Sequence, residues 1–275
     1  MFVVYEKISS VFVFLLIGLL FVTSSPIIAQ IVLPQYSVWE GFAFENKQAV
    51  ESREAEERFA HFLLSLERMA PTQQAEQIGV LLAAAEGNNV TARFLTLAEK
   101  YLYDPNSPYR NDEQYLLFLQ YASEHRLKDY ITNSRYQKHY TMVQKNRVGN
   151  AATDFAYSTQ VGEKGNLYSL QSQYTLLFFH DPNCEECQFV KQQLESQQNN
   201  LKQRGVQIVA VYIDEEVDAW RKAQYLPFWL SVYAPDIDKQ DLYDIKALPT
   251  LYLLDSNKKV LLKDAPLMQI VKFLL

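Results

Sequence analysis

The chain has 275 residues with a net charge of −6 and 21% charged residues, which is the profile of a globular protein long enough for two domains. This acidic balance argues against a nucleic-acid partner, since nucleic-acid-binding proteins present a basic face. The sequence has two cysteines and four histidines, which is little material for a multi-ligand metal centre, so we expect no bound metal.

Residues 1–29 have the pattern of a secretory signal peptide. Lys7 precedes an apolar stretch from Val11 to Val22, and small residues follow up to Ala29, after which we expect cleavage. The apolar stretch is shorter than the about 20 residues that a membrane-spanning helix needs, and retention as a membrane anchor is the alternative. We therefore expect an exported protein that contacts the membrane only if this segment is not cleaved.

Residues 30–147 are predicted to form an all-α helical domain, because their apolar residues recur with the spacing of amphipathic helices. One clear stripe is formed by Phe59, Phe62, Leu63, Leu66 and Met69. Helices are expected over residues 58–69, 75–87, 90–103, 112–125 and 129–146. We interpret their apolar stripes as a shared hydrophobic core rather than as a cofactor site.

Residues 148–275 are predicted to form an α/β domain, because short apolar runs replace the helical spacing there. Strands are expected over residues 174–180, 206–214, 248–255 and 258–264. The first two flank a helix of about five turns that ends at Gly205, which makes a parallel βαβ unit. The last two form a hairpin, and Pro266 begins a closing helix. Between the two units we expect a helix at 215–224 and a strand or loop at 228–234.

Both cysteines, Cys184 and Cys187, stand in the segment LLFFHDPNCEEC, where the first strand ends and its helix begins. A helix N-terminus presents unpaired backbone N–H groups and partial positive charge, which favours a thiolate at Cys184. Cys187 lies about one turn further along the same helix, so it can resolve a mixed disulfide formed at Cys184. The spacing predicts a redox-active dithiol. An inert disulfide, or half of a zinc site with His180, are the alternatives.

Glu185 and Glu186 separate the two cysteines, and we interpret them, together with His180, as residues that tune the redox potential. The two negative charges oppose the field of the helix N-terminus and destabilise a thiolate, which should lower the reduction potential. Positive charge on His180 and Lys191 would partly offset this effect. The alternative is that both glutamates only stabilise the first turn of the helix.

Three motifs in the expected order give residues 148–275 a resemblance to the thioredoxin fold, and specifically to the exported group that includes TlpA and ResA. These motifs are GNAATDFAY, LLFFHDPNCEEC and DIKALPTLYLLD, the first with Thr153 where the group usually has proline. The resemblance implies a mixed sheet flanked by helices, with Cys184 as the nucleophile and Cys187 as the resolving cysteine. It also implies that Pro249 follows a cis peptide bond.

The same resemblance implies a thiol-disulfide oxidoreductase of the periplasm that reduces or isomerises disulfides of exported proteins. Leu248, Pro249 and Thr250 would bind an extended substrate segment. A periplasmic or membrane donor would supply electrons, and no cofactor beyond the Cys184–Cys187 disulfide is implied. The helical region, through EKYLYDPNSPYRND, is similar to an uncharacterised domain found ahead of such modules in secreted proteins of Gram-negative bacteria.

One departure from the family pattern is Phe178, which stands where thioredoxin has a buried aspartate that assists proton transfer to the resolving thiol. Asp181 or Asp214 could supply a substitute carboxylate, and the alternative is that no residue does, in which case proton transfer would be slow or use water. The departure favours a second hypothesis, in which the protein is a redox-inactive or redox-switched binding protein. In that case the helical domain would recognise the partner and the thioredoxin-like module would serve as a scaffold.

Overall fold

The computed structural model describes residues 38–125 and 130–274, so the predicted signal peptide at 1–29 lies outside the described residues. Val38–Leu275 form one compact unit, in which a helical region precedes an α/β region. The change from helices to strands falls between Val143 and Ala156. In these two described stretches, no helix is long and apolar enough to cross a membrane.

The helical region contains a counterpart of every helix that the apolar spacing predicts. Its elements are α1 (Lys47–Val50), α2 (Arg53–Leu66), α3 (Pro71–Gly87), α4 (Thr91–Ala98), a π-helical turn (Glu99–Tyr103), α5 (Asp112–Glu124) and α6 (Tyr130–Val143). Helix α2 begins five residues before its predicted start at 58, because the hydroxyl of Ser52 accepts the backbone N–H of Ala55 at 3.2 Å and caps the helix. The predicted helix 90–103 divides into α4 and the π-helical turn.

The core of the helical region is made by the predicted apolar stripes. Its fully buried side chains include Phe59, Leu66, Phe94, Tyr115 and Phe118. The interpretation of these stripes as hydrophobic core is therefore confirmed for these buried residues.

The α/β region is built on one mixed sheet of seven strands in the order β2-β1-β5-β4-β3-β6-β7. The strands are β1 (Ala156–Thr159), β2 (Lys164–Asn166), β3 (Tyr174–Phe179), β4 (Val206–Tyr212), β5 (Leu230–Tyr233), β6 (Thr250–Asp255) and β7 (Val260–Lys263). The helices are α7 (Glu185–Gln203), α8 (Val217–Lys222), α9 (Asp236–Lys239) and α10 (Leu267–Leu274), with a 3-10 turn at Leu167–Ser169. The predicted fold class, a mixed sheet flanked by helices after an all-α region, is confirmed.

The pairing of strands confirms both predicted supersecondary units. Strand β3 runs parallel to β4 and antiparallel to β6, while β6 and β7 form the predicted antiparallel hairpin. Gly205 has a φ of +70°, and it turns the chain from α7 into β4, as expected of glycine after a helix. The segment at 228–234 forms a strand, β5, which pairs in parallel with β4. The hairpin of β1 and β2 was not predicted.

Strand β3 positions the cysteines because it lies in the middle of the sheet, buried on both faces. Leu176 and Phe178 point to the face covered by α7 and α10, while Leu177 and Phe179 contribute to the core on the opposite face. A central strand with neighbours on both sides is held rigidly by its backbone ladder. The turn that follows Phe179 therefore begins from a fixed point.

The helical region is joined to the α/β region by buried charges. The amine of Lys246 lies 2.9 Å from the carboxylate of Asp112 and 3.3 Å from that of Asp244. The amine of Lys263 lies 2.9 Å from the other oxygen of Asp112. The hydroxyl of Tyr103 donates a hydrogen bond to Asp244 at 2.9 Å. The loop that carries Asp244 and Lys246 leads directly into the Leu248–Pro249 segment.

Candidate active site

Cys184 lies at the N-terminus of α7, at the end of a tight turn that follows β3. The backbone N–H of Cys184 donates to the carbonyl of Asp181 at 3.1 Å, and the Asp181 carboxylate accepts the backbone N–H of Asn183 at 2.8 Å. The sulfur of Cys184 accepts the backbone N–H of Cys187 at 3.2 Å, so Cys184 is the N-cap residue of α7. A sulfur in this place faces the positive end of the helix dipole and the unpaired backbone N–H groups of the first turn.

The second cysteine, Cys187, is buried, whereas Cys184 is partly exposed. Cys187 is 1% exposed and belongs to the core between the sheet and helices α7 and α10. Burial and, to a smaller extent, a hydrogen bond with the Cys184 side chain raise the pKa of the Cys187 thiol to about 12. Both cysteines are free thiols in the structure. The arrangement leaves one sulfur open to a large reactant and keeps the other protonated behind it.

The Leu248–Pro249 segment lies beside Cys184. The peptide bond between these two residues is cis, and the thiol of Cys184 lies 3.9 Å from the carbonyl oxygen of Leu248. Thr250 begins β6, where it pairs with Phe179, and its hydroxyl donates to the carbonyl of Ala247 at 2.6 Å. Thr250 is only 1% exposed, so its side chain fixes the loop, while the partly exposed surface of the segment comes from Leu248 and Pro249.

His180 is buried at the end of β3 and does not carry the charge expected of it. Its ring stacks on Phe178 at 4.6 Å, and its Nε2 lies 3.3 Å from the hydroxyl of Tyr225. Burial, with a smaller effect from the charge of Lys191, lowers the pKa of His180 to about 3. The expectation that a positive His180 offsets the glutamates is therefore wrong, because the ring is neutral at physiological pH.

The two glutamates between the cysteines are exposed in the first turn of α7. Lys191, the other expected source of compensating charge, turns towards the chain after α8. Its amine donates to the carbonyl of Gln224 at 2.6 Å and lies 5.2 Å from the ring of Tyr225. Lys191 is therefore engaged away from the first turn of α7, where Glu185 and Glu186 are exposed between the two cysteines.

Phe178 is fully buried under α7, so an apolar ring occupies the place of the family's buried carboxylate. Of the two proposed substitutes, Asp181 acts on Cys187 in two opposite ways. Its backbone lowers the pKa of that thiol through a hydrogen bond, and its negative charge raises the pKa by a smaller amount. Asp214 lines a cleft that also contains Asp181 and His180. In the described part of the chain, no group of three or more His, Cys, Asp or Glu side chains is arranged to hold a metal ion.

Two depressions lie near the cysteine pair, and Leu248 lines both of them. The first, called the acidic cleft, has a volume of about 240 Å³ and is lined chiefly by His180, Asp181, Asp214, Glu215, Asp238 and Lys239. The second, called the apolar groove, has a volume of about 350 Å³ and is lined chiefly by Pro105, Phe189, Pro249, Pro266 and Met268. Neither depression was predicted from the sequence. The one feature that indicated the apolar groove was Phe189, an aromatic residue on a side of the helix that is otherwise polar.

A buried strand leads into a helix whose N-terminus carries the Cys-x-x-Cys sequence, and a cis-proline segment at the start of the neighbouring strand lies beside it. This arrangement defines a thioredoxin-like protein. The chain belongs to that family. It is 33% identical to a thioredoxin-like protein from Bacteroides caccae, whose structure aligns over 86% of this chain and 88% of the other with a TM-score of 0.80.

Two family profiles divide the sequence between them. Residues 148–263 match the AhpC/TSA family, and residues 35–146 match DUF5106, a domain of unknown function. A curated relative, the thiol-disulfide oxidoreductase ResA of Bacillus subtilis, is 30% identical over 117 residues, which is 41% of this chain. The chain thus spans 64% of the length of that relative.

Proposed function

We propose that this protein is a thiol-disulfide oxidoreductase, which uses the Cys184–Cys187 dithiol to reduce or isomerise disulfides of exported proteins. The observation that carries the proposal is the unequal placement of the two sulfurs. Cys184 is partly exposed and caps α7 by accepting the Cys187 N–H at 3.2 Å, whereas Cys187 is 1% exposed. A protein substrate can reach the first sulfur, and the second sulfur can act only on what the first has bound.

The reaction proceeds by two exchanges of a sulfur–sulfur bond. The Cys184 thiolate attacks one sulfur of the substrate disulfide, which forms a mixed disulfide and releases the other substrate sulfur as a thiolate. Cys187 then loses its proton and attacks the sulfur of Cys184, which releases the second substrate sulfur. Two electrons pass to the substrate, whose two sulfurs become thiols. The protein retains a Cys184–Cys187 disulfide, and a dithiol donor must return two electrons and two protons.

The second exchange needs a proton acceptor for Cys187, because its buried thiol has a pKa raised to about 12. Phe178 offers none. Asp181 is the carboxylate whose charge acts on this thiol, and it also lines the acidic cleft, where solvent can enter. We infer that Asp181 relays the proton of Cys187 to water, and that resolution of the mixed disulfide is the slower step at neutral pH.

Two further parts of the proposal, export and a reducing role, are supported by other features of the sequence. The signal-peptide pattern of residues 1–29 favours a periplasmic location, where thiols are oxidised unless a donor keeps them reduced. We therefore expect a periplasmic or membrane electron donor. The exposed charges of Glu185 and Glu186 favour a low reduction potential, which suits a reductant rather than an oxidant. No flavin, haem or metal is needed for this chemistry.

The proposal is tested by the reduction of insulin disulfides with dithiothreitol as the donor, followed by the turbidity of the released insulin B chain. Catalysed turnover should be abolished in Cys184→Ser. The Cys187→Ser variant should still react once and then accumulate a mixed disulfide that mass spectrometry detects, since the resolving sulfur is missing. A folded wild-type protein that gives no more turbidity than dithiothreitol alone would refute the proposal.

A second candidate function is that of a redox-switched or redox-inactive binding protein. The burial of Phe178 in place of a carboxylate favours it, because slow resolution suits a switch better than a catalyst. Wild-type protein without insulin-reducing turnover, together with partner capture through the helical region, would support this candidate. Turnover that depends on Cys184 would exclude it.

A further inference from the structure

The acidic cleft and the apolar groove share Leu248, whose carbonyl lies 3.9 Å from the reactive sulfur, but they differ in chemistry. We propose that they select a polypeptide substrate whose disulfide-bonded cysteine is flanked by a bulky apolar side chain on one side and by lysine or arginine on the other. The apolar side chain enters the groove and the basic one enters the cleft. This inference rests on the proposed function and specifies its substrate.

The apolar groove presents hydrophobic surface that the fold itself leaves uncovered. Phe189 on α7 is 54% exposed and Met268 on α10 is 73% exposed, and both line the groove together with Leu248 and Pro249. Large apolar side chains exposed side by side are typical of a site that another molecule covers. A volume of about 350 Å³ is enough for one large side chain and part of its backbone.

The helical region supplies the outer wall of this groove, which gives that region a role in selection. Pro105 and Asn106 line the groove from the loop that follows the π-helical turn. Arg110 holds this loop, since its guanidinium donates to the carbonyl of Pro105 at 3.1 Å and to that of Asp264 at 2.6 Å. It also lies 3.3 Å from the Asp264 carboxylate. The wall is therefore tied to the chain that leads from β7 into α10.

The acidic cleft has an excess of negative charge. It is lined by four carboxylates, those of Asp181, Asp214, Glu215 and Asp238. Lys239 is the one cation among the described lining residues, and its amine already lies 3.2 Å from Glu215. The two titratable rings that line the cleft, those of His180 and Tyr212, are buried and neutral at pH 7. A lysine or arginine of a bound segment would complement this charge.

Leu248 connects both depressions to the reacting atoms. Leu248 lines each of them, and its carbonyl oxygen lies 3.9 Å from the sulfur of Cys184. A substrate cysteine at Cys184 would therefore lie at the junction, with its neighbours directed to either side. An extended segment advances about 3.3 Å per residue, so residues close to the cysteine in sequence reach both depressions.

The test measures single-turnover attack on short peptides in the Cys187→Ser protein. Each peptide carries one cysteine as a mixed disulfide with 5-thio-2-nitrobenzoate. Attack by Cys184 on the peptide sulfur joins the peptide to the protein and releases the coloured nitrobenzoate thiolate. The cysteine is flanked by Leu and Lys, Leu and Glu, Ser and Lys, or Ser and Glu, each pair in both orders. We expect the best Leu and Lys peptide to react about tenfold faster than either Ser and Glu peptide.

Two matched pairs of variants assign the preference to its site. Met268→Ser should reduce the preference for Leu, whereas Phe273→Ser, a change of a 51% exposed residue on the same helix outside the groove, should not. Asp238→Asn should reduce the preference for Lys, whereas Asp218→Asn, outside the cleft, should not. The preference for Lys should also weaken as ionic strength rises.

The outcomes separate this inference from the proposed function. The symmetric reagent 5,5′-dithiobis(2-nitrobenzoate) reports the reactivity of Cys184 without any flanking residue. If Cys184 reacts with this reagent faster than free cysteine does but treats all the peptides alike, the inference is wrong and the proposed function stands. If Cys184 reacts neither with the symmetric reagent nor with the peptides faster than free cysteine does, the inference and the proposed function are both wrong. The inference is also wrong if Phe273→Ser removes the preference for Leu as fully as Met268→Ser does.

Discussion

The amine of Lys246 lies 2.9 Å from the carboxylate of Asp112, and this buried ion pair joins the α/β region to the first turn of α5. The side chain of Lys246 is 3% exposed and that of Asp112 is 16% exposed. The attraction of Lys246 and Lys263 lowers the pKa of Asp112 in spite of its burial. Lys246 stands only two residues before Leu248, so its ion pair with Asp112 ties the base of the loop that contacts Cys184 to the helical region.

Replacement of Lys246 should destabilise the whole protein. Lys246→Met removes one cation from the buried carboxylates of Asp112 and Asp244 and leaves them Lys263, whose amine lies 2.9 Å and 4.0 Å from them. Loss of one partner from a buried ion pair typically costs about 3–5 kcal/mol. Urea unfolding followed by circular dichroism should show this loss. The control Lys272→Met, at an exposed position in the last turn of α10, should change the free energy of unfolding by less than about 0.5 kcal/mol. Equal stabilities of the two variants would mean that the buried pair does not stabilise the fold.

The buried histidines should make the protein less stable in mild acid. The pKa of His180 falls from 6.5 to about 3 in the folded state, so below pH 6.5 the unfolded chain binds a proton that the folded chain does not. Stability is therefore fully present above pH 6.5 and is lost as the pH falls towards 3, by up to about 1.4 kcal/mol per pH unit for this residue. His139, whose pKa is lowered to about 4 mainly by burial, acts in the same direction.

The histidine effect is isolated by His180→Phe, which retains a ring to stack on Phe178. Free energies of unfolding measured in urea at pH 7 and pH 5 should differ less in this variant than in the wild type. The control His125→Phe removes an exposed histidine and should leave the difference unchanged. A wild-type protein equally stable at both pH values would contradict the prediction.

The central part of the fold could be predicted from sequence because its signals are local. The buried runs of β3 and β4 and the amphipathic α7 between them define a βαβ unit without reference to any other segment. The hairpin of β1 and β2 escaped prediction, because its strands have four and three residues and alternate little between buried and exposed positions. The divided helix at Thr91–Tyr103 also carries no distinctive sequence pattern.

The candidate site was predictable to the extent that it is local in sequence. Helix geometry alone places Cys184 at a helix N-terminus with Cys187 behind it. The neutrality of His180 depends on Phe178 and Tyr225, and the latter is 45 residues away. The apolar groove combines side chains from Pro105, Phe189 and Met268, which only the folded chain brings together. Lys246 likewise reads as a surface residue in the sequence, although the fold buries it.

Resolution of the mixed disulfide should accelerate with pH more steeply than its formation. The pKa of Cys187 is raised to about 12, mainly by burial, so its thiolate is a small fraction at pH 7 and grows about tenfold per pH unit through pH 9. Rapid-quench measurements on the wild-type protein should show the mixed disulfide accumulating at pH 7 and disappearing faster at pH 9. The attack step in Cys187→Ser supplies the control profile, since Cys187 takes no part in it. Equal slopes for the two steps would show that Cys187 deprotonation does not limit resolution.

The charges between the cysteines should set the reduction potential. Glu185 and Glu186 are exposed in the first turn of α7. Their two negative charges disfavour a further negative charge at the neighbouring Cys184 sulfur. Replacing both with Gln should stabilise the reduced form and raise the potential by on the order of 10–30 mV, since about 30 mV corresponds to 1.4 kcal/mol for a two-electron couple. Equilibration with glutathione buffers, read by alkylation and gel shift, measures this change.

A matched change at Glu195 on the same helix distinguishes the effect of position from that of net charge. Glu195 lies about two turns, or about 12 Å along the helix, beyond Cys187, and its carboxylate is 3.5 Å from the amine of Lys191. Glu195→Gln should leave the potential within a few mV, because charges further apart than about 8–10 Å are largely screened at moderate salt. If the Glu185→Gln, Glu186→Gln double variant has an unchanged or lower potential, the two glutamates act only as stabilisers of the helix N-terminus, and the reducing character must have another origin.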